Sequence, residues 1–188
     1  GITRERNEAF AQARDLTGDI NEKLADIAAL NGKIAGLPES DSLGRAGLMD
    51  ERDELVRAVA EHLDVNSLQQ ADGTVTLLAA GTALVEGLQA SQLDATLTQT
   101  GELSYSVTRG ALVTDVTTRI GQGSLGALKE ARDGDMVALL NDLDALAGEL
   151  SEALNNQHAA GPDASGNPGL ALVVDQHGNP LTPGPGAA

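Results

Sequence analysis

The residues most able to do chemistry lie in the segment NNQHAAGPDASGNPG, residues 155–169. His158 and Asp163 are its candidate metal ligands, and three asparagines and a glutamine accompany them. A metal site needs about three or four converging ligands, and this segment offers only two strong ones. Asn155 and His158, one helical turn apart and followed by Gly161, are typical of a helix end with a left-handed glycine cap. With Asp163 in an Asx turn, the segment predicts a rigid exit from a helix.

The motif Gly121-Gln-Gly123-Ser-Leu-Gly126 fits the dinucleotide-binding pattern G-x-G-x-x-G literally. Such a turn is followed by a short helix and then by a strand that ends in an acidic residue about 20 positions on. The acids at that distance, Asp142 and Asp144, lie inside a helical pattern that continues to about His158. The context argues against a dinucleotide site, and we predict a glycine turn with Ser124 as the helix N-cap.

Two acidic segments are candidate calcium-binding loops, Asp133-Gly-Asp135 and residues 163–167. Neither supplies the full set of oxygen ligands or the distal glutamate of a calcium loop, so we expect solvated turn acids. A third acidic group is expected in the first turns of a helix, where the helix dipole favours carboxylates. Its members are Asp50, Glu51, Asp53 and Glu54.

The histidines form no recognisable site. His62, His158 and His177 are far apart in the sequence and belong to no metal-binding pair, and no nucleophile motif accompanies them. The chain contains no cysteine, which excludes disulfides, thiolate metal sites and cysteine nucleophiles. We therefore predict no catalytic residue, no cofactor and no metal.

Composition narrows the class of protein further. The 188 residues include one Phe, one Tyr and no Trp, so aliphatic side chains must form the core, which favours close helix packing over an aromatic-lined pocket. Asp and Glu total 28 against 12 Lys and Arg, giving a net charge of −16. Such a surface repels phosphate backbones and anionic lipid, so neither nucleic acid nor membrane is expected as a partner.

Apolar stripes with helical spacing predict three long helical segments. The first stripe runs from Phe10 to Ile34 and ends near a proline, and the second runs from Leu48 to Leu63. The short polar link between them favours an antiparallel hairpin. A third stripe begins at Leu125, and we predict that the first and last long helices lie side by side.

Between about residues 65 and 118 the pattern changes to short β-branched segments. Asp72-Gly73 predicts a hairpin turn between the first two of them. The candidate strands are Val65–Gln70, Thr74–Ala79, Ala83–Val85, Gln92–Leu97, Leu103–Thr108 and Leu112–Val116, and a later strand-like run is Leu170–Asp175. The predicted class is mainly α with a small antiparallel β region (α+β), an elongated, coiled-coil-like helical bundle or hairpin with a β-hairpin insert.

Five blocks of the sequence resemble the flagellar hook-associated protein 1 family, in that family's order. They are INEKLADIAALNGKI, LMDERDELVRAVAEHLDV, QQADGTVTLLAAGTALVEG, GQGSLGALKEARD and LDALAGELSEALNNQHAAGPDASGNPG. The resemblance covers roughly residues 16–169. Its most specific positions are Leu48, Asp50, Arg52, Asp53, Leu55, Asn155, His158, Gly161, Asp163 and Gly166.

The resemblance implies a structural, non-enzymatic protein that joins hook to filament in the bacterial flagellum. The implied location is extracellular, after secretion through the flagellar export apparatus. The implied partners are other copies of the protein in a junction ring, the hook protein, a second junction protein and, for the full-length chain, an export chaperone. Residues 1–169 would be the helical middle domain, and residues 170–188 the truncated start of an outer β domain with a flexible tail.

One alternative belongs to a different class, an extracellular or periplasmic ligand-binding module. Its support is the threonine-rich set of strands between Thr96 and Thr118, which could carry a recognition surface. The sequence leaves this alternative open beside the flagellar interpretation.

Overall fold

A computed structural model describes residues 2–162, 166–167 and 169–181. The chain divides into two compact units, residues 1–134 and 135–188, and each is described by itself. The α+β class is confirmed, because long helices accompany small antiparallel sheets. The side-by-side pairing of the first and last long helices stays a prediction, since these helices belong to different units.

Unit 1 begins with the predicted helical hairpin. Helix α1 spans Ile2–Gly36 and helix α2 spans Ser42–Ala60. Asp41 caps α2 by accepting a hydrogen bond from the backbone N–H of Gly44 at 3.0 Å. The acids expected in the first turns of this helix therefore lie in its middle instead. Sequence reasoning missed the earlier start because Leu43, Gly44 and Gly47 give no helical stripe.

Seven short strands follow the hairpin. They are β1 Val65–Gln69, β2 Val75–Ala79, β3 Thr82–Glu86, β4 Gln89–Ala90, β5 Gln92–Leu97, β6 Leu103–Arg109 and β7 Leu112–Asp115. They form two antiparallel sheets with strand orders β1-β2-β3-β4 and β5-β6-β7. The hairpin turn at Asp72-Gly73 is confirmed, because Gly73 has φ of 88° and donates its N–H to the Gln70 carbonyl.

Both sheets pack against α1, which contacts β3, β4 and β5 as well as α2. The stripe of α1 supplies the centre of the core, since Ile20, Leu24 and Ile27 are fully buried. Alternate residues of β6, including Tyr105, face the same core. The core cluster runs from Ala13 to Leu125, so it lies wholly in unit 1.

The third helical segment is interrupted, which the stripe did not predict. Helix α3 spans Gly123–Lys129, a π-helical turn covers Glu130–Asp135, and helix α4 spans Met136–Ala159. The N-cap prediction for Ser124 is wrong, because Gln122 occupies the cap position without a side-chain bond. The Ser124 hydroxyl instead lies 3.2 Å from Nδ1 of His62 and bonds the Glu61 carbonyl.

Unit 2 consists of α4 and an extended segment that returns to it. The predicted strand Leu170–Asp175 is wrong as a strand, since in the described part of the chain this segment forms one isolated bridge, between Val174 and Pro180. Asp175 closes the intervening turn by accepting bonds from the backbone N–H groups of His177 and Asn179. The predicted flexible end, residues 183–188, lies outside the described residues. Among the described helices, none combines the length and apolarity needed to span a bilayer.

Candidate functional site

Arg52 is one of the family positions on α2, and it lies in a buried polar cluster between the helical hairpin and the first sheet. It is 2% exposed, and its Nη1 donates to the Gly73 carbonyl at 2.7 Å and to Oδ1 of Asn31 at 3.4 Å. Asp53 pairs with the same guanidinium at 3.2 Å from the solvent side. A buried cation is tolerated only with such partners, so Arg52 ties α2 to the β1–β2 turn.

The side chain of Asn31 forms hydrogen bonds to the backbone of the first sheet, as a neighbouring strand would. Its Oδ1 accepts the N–H of Val75 at 3.0 Å, and its Nδ2 donates to the carbonyls of Val75 and Gly87, each at 2.8 Å. We call this arrangement an asparagine clamp: one side-chain amide that satisfies both the N–H and the C=O of an extended residue. The clamp completes the hydrogen bonding of backbone that would otherwise be buried without partners.

A second asparagine clamp lies ten residues earlier on α1. Asn21 accepts the N–H of Leu93 at 2.8 Å and donates to the Leu93 carbonyl at 2.9 Å. Leu93 belongs to β5, an outer strand of the second sheet, so the clamp covers a strand edge that would otherwise be open to pairing with another chain. One helix thus holds one strand of each sheet.

The third asparagine clamp is Asn155, one of the family positions near the end of α4. Its Oδ1 accepts the N–H groups of Leu172 and Val173 at 2.7 and 2.9 Å, and its Nδ2 donates to the Val173 carbonyl at 2.9 Å. His158 acts one turn later, with Nδ1 2.7 Å from the Leu170 carbonyl. Both side chains bond backbone, as expected for a helix exit, but the backbone is that of the returning segment rather than of adjacent residues.

The predicted left-handed glycine cap at Gly161 is wrong. Gly161 is not among the glycines with positive φ, and Ala160, the residue that follows α4, is in right-handed conformation. Gly169 is the constrained position, because a Cβ there would lie 2.6 Å from Nδ1 of His158. Gly166 does adopt positive φ, at 83°. The Asx turn expected at Asp163 lies outside the described residues.

The remaining family positions on α2 support the packing around Arg52. Leu55 packs against the core and Leu48 is half-buried, whereas Asp50 is exposed. Nothing in the structure explains Asp50. The assignment of all ten positions as family motifs stays a prediction.

Two of the glycines in residues 121–126 are explained by close packing. Gly123 has φ of 70°, and a Cβ there would lie 2.5 Å from the His62 backbone carbonyl carbon. A Cβ on Gly126 would lie equally close to the backbone of Gly121, whereas a Cβ on Gly121 itself would meet open space. Gly123 and Gly126 therefore admit only glycine. Asp142 and Asp144 lie within α4, as the sequence pattern indicated.

Asp133 is not the solvated turn acid that the sequence predicted. It is 10% exposed, pairs with the buried Arg132 and with Arg6 at 3.6 Å, and accepts the N–H of Leu103 at 2.6 Å. Arg132 and Asp133 are consecutive residues of the π-helical turn, and the side chains of both are largely buried. Arg132 also donates to the Arg6 carbonyl, so the first turns of α1 are tied to residues near the end of unit 1.

The shifted carboxyl pKa values mark turns and not reactive groups. Hydrogen bonds from Thr74 lower the pKa of Asp72, and hydrogen bonds from Thr117 lower that of Asp115. Both carboxylates accept bonds from residues two positions later, as Asx turns do. Within the described ranges, no three His, Cys, Asp or Glu side chains gather as a metal site would require.

These arrangements anchor backbone to backbone. His158 also lines an open cavity of about 420 Å³, but its Nδ1 bonds the Leu170 carbonyl, and no second acid or base among the described residues lines that cavity.

Sequence reasoning missed Asn21, Asn31 and Arg45, whose guanidinium bonds the Ile34 and Leu37 carbonyls at the end of α1. Asn31 left a usable signal, since a polar residue within the apolar stripe of α1 needs a buried partner. Asn21 left none.

The comparisons with known proteins agree with this architecture. Residues 2–173 match the family model described as the flagellar hook-associated protein FlgK helical domain. The chain is 31% identical over 156 residues to flagellar hook-associated protein 1 of Escherichia coli, covering 80% of this chain and 28% of that protein. For the Salmonella typhimurium protein of the same name, identity is 33% over 165 residues, with the same coverage.

More distant relatives extend the match. Flagellar hook-associated protein 1 of Bacillus subtilis is 27% identical over an alignment of 213 positions that covers all of this chain and 42% of that protein. The solved structure of the flagellar hook junction protein FlgK from Burkholderia pseudomallei is similar, with a TM-score of 0.73 and 26% identity. It covers 89% of this chain and 31% of that one. The chain thus spans about a third of the length of the relatives it matches.

Proposed function

This chain belongs to the family of the helical domain of the flagellar hook-associated protein FlgK, and from that premise we propose that it is a structural segment of the junction between hook and filament. In this role it is not an enzyme. It acts outside the cell, in the flagellum, after secretion through the flagellar export apparatus.

The observation that carries the proposal is the continuous family match over residues 2–173, which includes all three asparagine clamps. The clamps fit a load-bearing role, because each joins a helix to an extended segment by two or more hydrogen bonds. Directional bonds of this kind resist sliding between elements better than apolar contacts, which are non-directional.

The proposed partners follow from the junction role. They are other copies of the same protein in a ring, the hook protein on one side and a second junction protein on the other, with an export chaperone for the full-length chain. The net charge of −16 opposes close approach of copies of this segment, so ring contacts require surfaces beyond it or locally paired charges.

The ligand-binding alternative rested on the threonines between Thr96 and Thr118, and two of these form hydrogen bonds inside unit 1. Thr117 bonds the backbone of Tyr105 through its hydroxyl and also bonds Ser104. Thr108 reaches Asp94 across the sheet. These two hydroxyl groups are used within the second sheet and the 3-10 turn that follows it. Thr96 and Thr118 are exposed, but no comparison with a known protein favours a ligand-binding module.

Deletion of the codons for residues 2–173 from the gene in its own host tests the proposal. We expect hooks that carry no filament and filament subunits released into the medium, both visible by electron microscopy and by gel analysis of the culture supernatant. Full-length filaments on normal hooks, in cells that have lost the segment, would contradict the junction role.

Complementation with point variants separates folding from junction formation. Asn31→Ala removes one clamp, whereas Asn7→Ala changes an exposed asparagine of the same helix. We expect the second variant to restore filaments fully and the first to restore them less as temperature rises. Equal complementation at every temperature would show that the clamp does not matter to the junction.

A further inference from the structure

In the π-helical turn Glu130–Asp135, the local sequence and the tertiary contacts favour different structures. Leu128 and Met136, on either side of the turn, still fit the spacing of a continuous α-helix. In the π form each N–H bonds the carbonyl five residues earlier instead of four, and such turns are rare. The sequence around the turn therefore favours an uninterrupted α-helix, and contacts from elsewhere in the chain must hold the π form.

Those contacts come from two remote elements, α1 and β6. The Asp133 carboxylate accepts the N–H of Leu103 at 2.6 Å and lies 3.6 Å from the Arg6 guanidinium. Arg132 Nε donates to the Arg6 carbonyl at 3.2 Å. If the turn were α-helical, Arg132 and Asp133 would be rotated about the helix axis, away from these partners. We call Arg6, Leu103, Arg132 and Asp133 together the Asp133 lock, because their contacts select the π form.

The Asp133 lock is not fully satisfied. Arg6 Nε is buried and has no hydrogen-bond partner among the described residues. The guanidinium groups of Arg6 and Arg132 also share one carboxylate. A buried donor without an acceptor costs free energy. This cost lowers the stability of the π form relative to a form in which the lock is open.

Gly134 acts in the opposite direction and favours the π form. Glycine is a poor α-helix former, so its presence weakens the α form of the turn. In the π form, a Cβ at this position would lie 2.5 Å from a carboxylate oxygen of Glu130. Alanine at residue 134 would therefore shift the balance toward the α form.

We propose that Glu130–Asp135 is a register switch. The Asp133 lock holds the turn in the π form, and departure of the first turns of α1 from the lock lets the turn become α-helical. The change rotates the residues that follow by about 100° around the helix axis and moves them by about 1.5 Å along it. A pull on the start of α1 is thereby converted into a rotation of α4 without breaking the helix. The inference does not depend on the junction role.

NMR spectroscopy of isotope-labelled residues 1–188 distinguishes the two forms. Couplings across hydrogen bonds identify the carbonyl that each N–H bonds, five residues earlier in the π form and four earlier in the α form. We expect the π pairing in the wild type, with exchange to a minor form on the microsecond-to-millisecond scale. This exchange should be confined to the turn and to the lock, and the carbon shifts of the minor form should be helical.

Arg6→Gln tests whether the lock controls the switch. The population of the minor form should rise about tenfold or more, because removing one partner of a buried ion pair strongly destabilises the form that holds it. Arg4→Gln changes an exposed arginine near the start of the same helix, whose partner is Glu8. As the matched control, it should leave the population unchanged.

Two changes at Gly134 test the register itself. Gly134→Ala should also raise the population of the minor form, whereas Gly47→Ala, in open space on α2, should not. Deletion of Gly134 removes the extra residue, so the turn closes as an α-helix that has no second register. In this variant the exchange should disappear while circular dichroism shows the same helical content.

Three outcomes would overturn the register switch. Static π pairing in both the wild type and Arg6→Gln would show that the turn has one form only. A minor form with random-coil carbon shifts would show that the turn unfolds instead of changing register. Exchange that persists after deletion of Gly134 would belong to a different process.

Discussion

At the residue scale, the asparagine clamps use the similarity between a primary amide and a peptide group. An asparagine offers one acceptor oxygen and two donor hydrogens, so it can satisfy the N–H and C=O of one extended residue at once. Asn31 goes further, because it bonds Val75 on β2 and also Gly87 beyond β3. It therefore joins α1 both to β2 and to the turn that follows β3.

Replacing Asn31 by alanine should destabilise unit 1 strongly. The change leaves the Val75 N–H, the Val75 carbonyl and the Gly87 carbonyl buried without a partner, each at a cost of about 1 kcal/mol or more. We expect the free energy of unfolding to fall by about 3 kcal/mol in urea titration. Asn7→Ala, on the exposed face of the same helix, should change it by less than about 0.5 kcal/mol. Equal effects of the two substitutions would show that the clamp contributes nothing.

Tyr105, the only tyrosine, should make the protein sensitive to alkali. Burial, and next to it the charge of Asp133, raise the pKa of Tyr105 well above its ordinary value of 10.0. The phenol stays protonated in the folded state at a pH where it ionises in the unfolded state. Its contribution to stability is therefore complete below pH 10.0 and declines as pH rises further.

Absorbance of the tyrosinate ion measures this effect without interference from other tyrosines. We expect ionisation to coincide with unfolding as pH rises, monitored by circular dichroism in parallel. Ionisation with an ordinary midpoint in a chain that stays folded would contradict the buried, hydrogen-bonded phenol, whose hydroxyl donates to the Leu125 carbonyl at 2.8 Å.

At the element scale, strand positions could be predicted because β-branched residues and turn glycines mark them locally. The strands at 92–97 and 103–109 lie almost where the pattern placed them. The π-helical turn at Glu130–Asp135 could not be predicted, because the stripe positions on either side of it, Leu128 and Met136, still fit the spacing of a continuous α-helix. Its cause is tertiary: Asp133 and Arg132 are drawn inward by Arg6 and by the Leu103 N–H, which are remote in sequence.

Replacing Asp133 by alanine should release the first turns of α1. The substitution leaves two guanidinium groups without their shared carboxylate and the Leu103 N–H without an acceptor, which typically costs about 3 kcal/mol. We expect faster amide hydrogen exchange in residues 3–10 than in the rest of α1. Asp135→Ala, an exposed acid in the same turn, should leave exchange there unchanged. Uniform loss of protection along α1 would contradict a local tie.

Among the family positions too, local features could be predicted from the sequence and tertiary contacts could not. The polar residues of α2 were recognised by resemblance, but their chemistry became visible only when Arg52 was seen beside Asn31 and Gly73. The helix exit at Asn155 could be predicted in kind, because helix ends have local signatures. Its glycine could not, since the close approach of Gly169 to His158 depends on the path of the returning segment.

At the scale of the whole molecule, the apolar core is unevenly distributed. Among the residues that the structure describes, the buried hydrophobic side chains all lie between Ala9 and Leu125, in unit 1. In unit 2, the described residues bury only Gly148, Ser151 and Asn155, while the leucines of α4 stay exposed. Unit 1 therefore has the burial that independent folding requires, and unit 2 does not.

Residues 1–134 should accordingly fold alone, whereas residues 135–188 should not. The shorter chain keeps both sheets, the helical hairpin, two asparagine clamps and the Arg6–Arg132–Asp133 contacts. We expect residues 1–134 to unfold in one cooperative transition within about 1 kcal/mol of the transition seen for residues 1–188, because the excised unit contributes no core. Residues 135–188 alone should show little helical circular dichroism, since a single amphipathic helix of this length is marginal in water. If residues 1–134 unfolded without a cooperative transition, or if residues 135–188 formed a stably helical monomer, this account of how the two units fold would be contradicted.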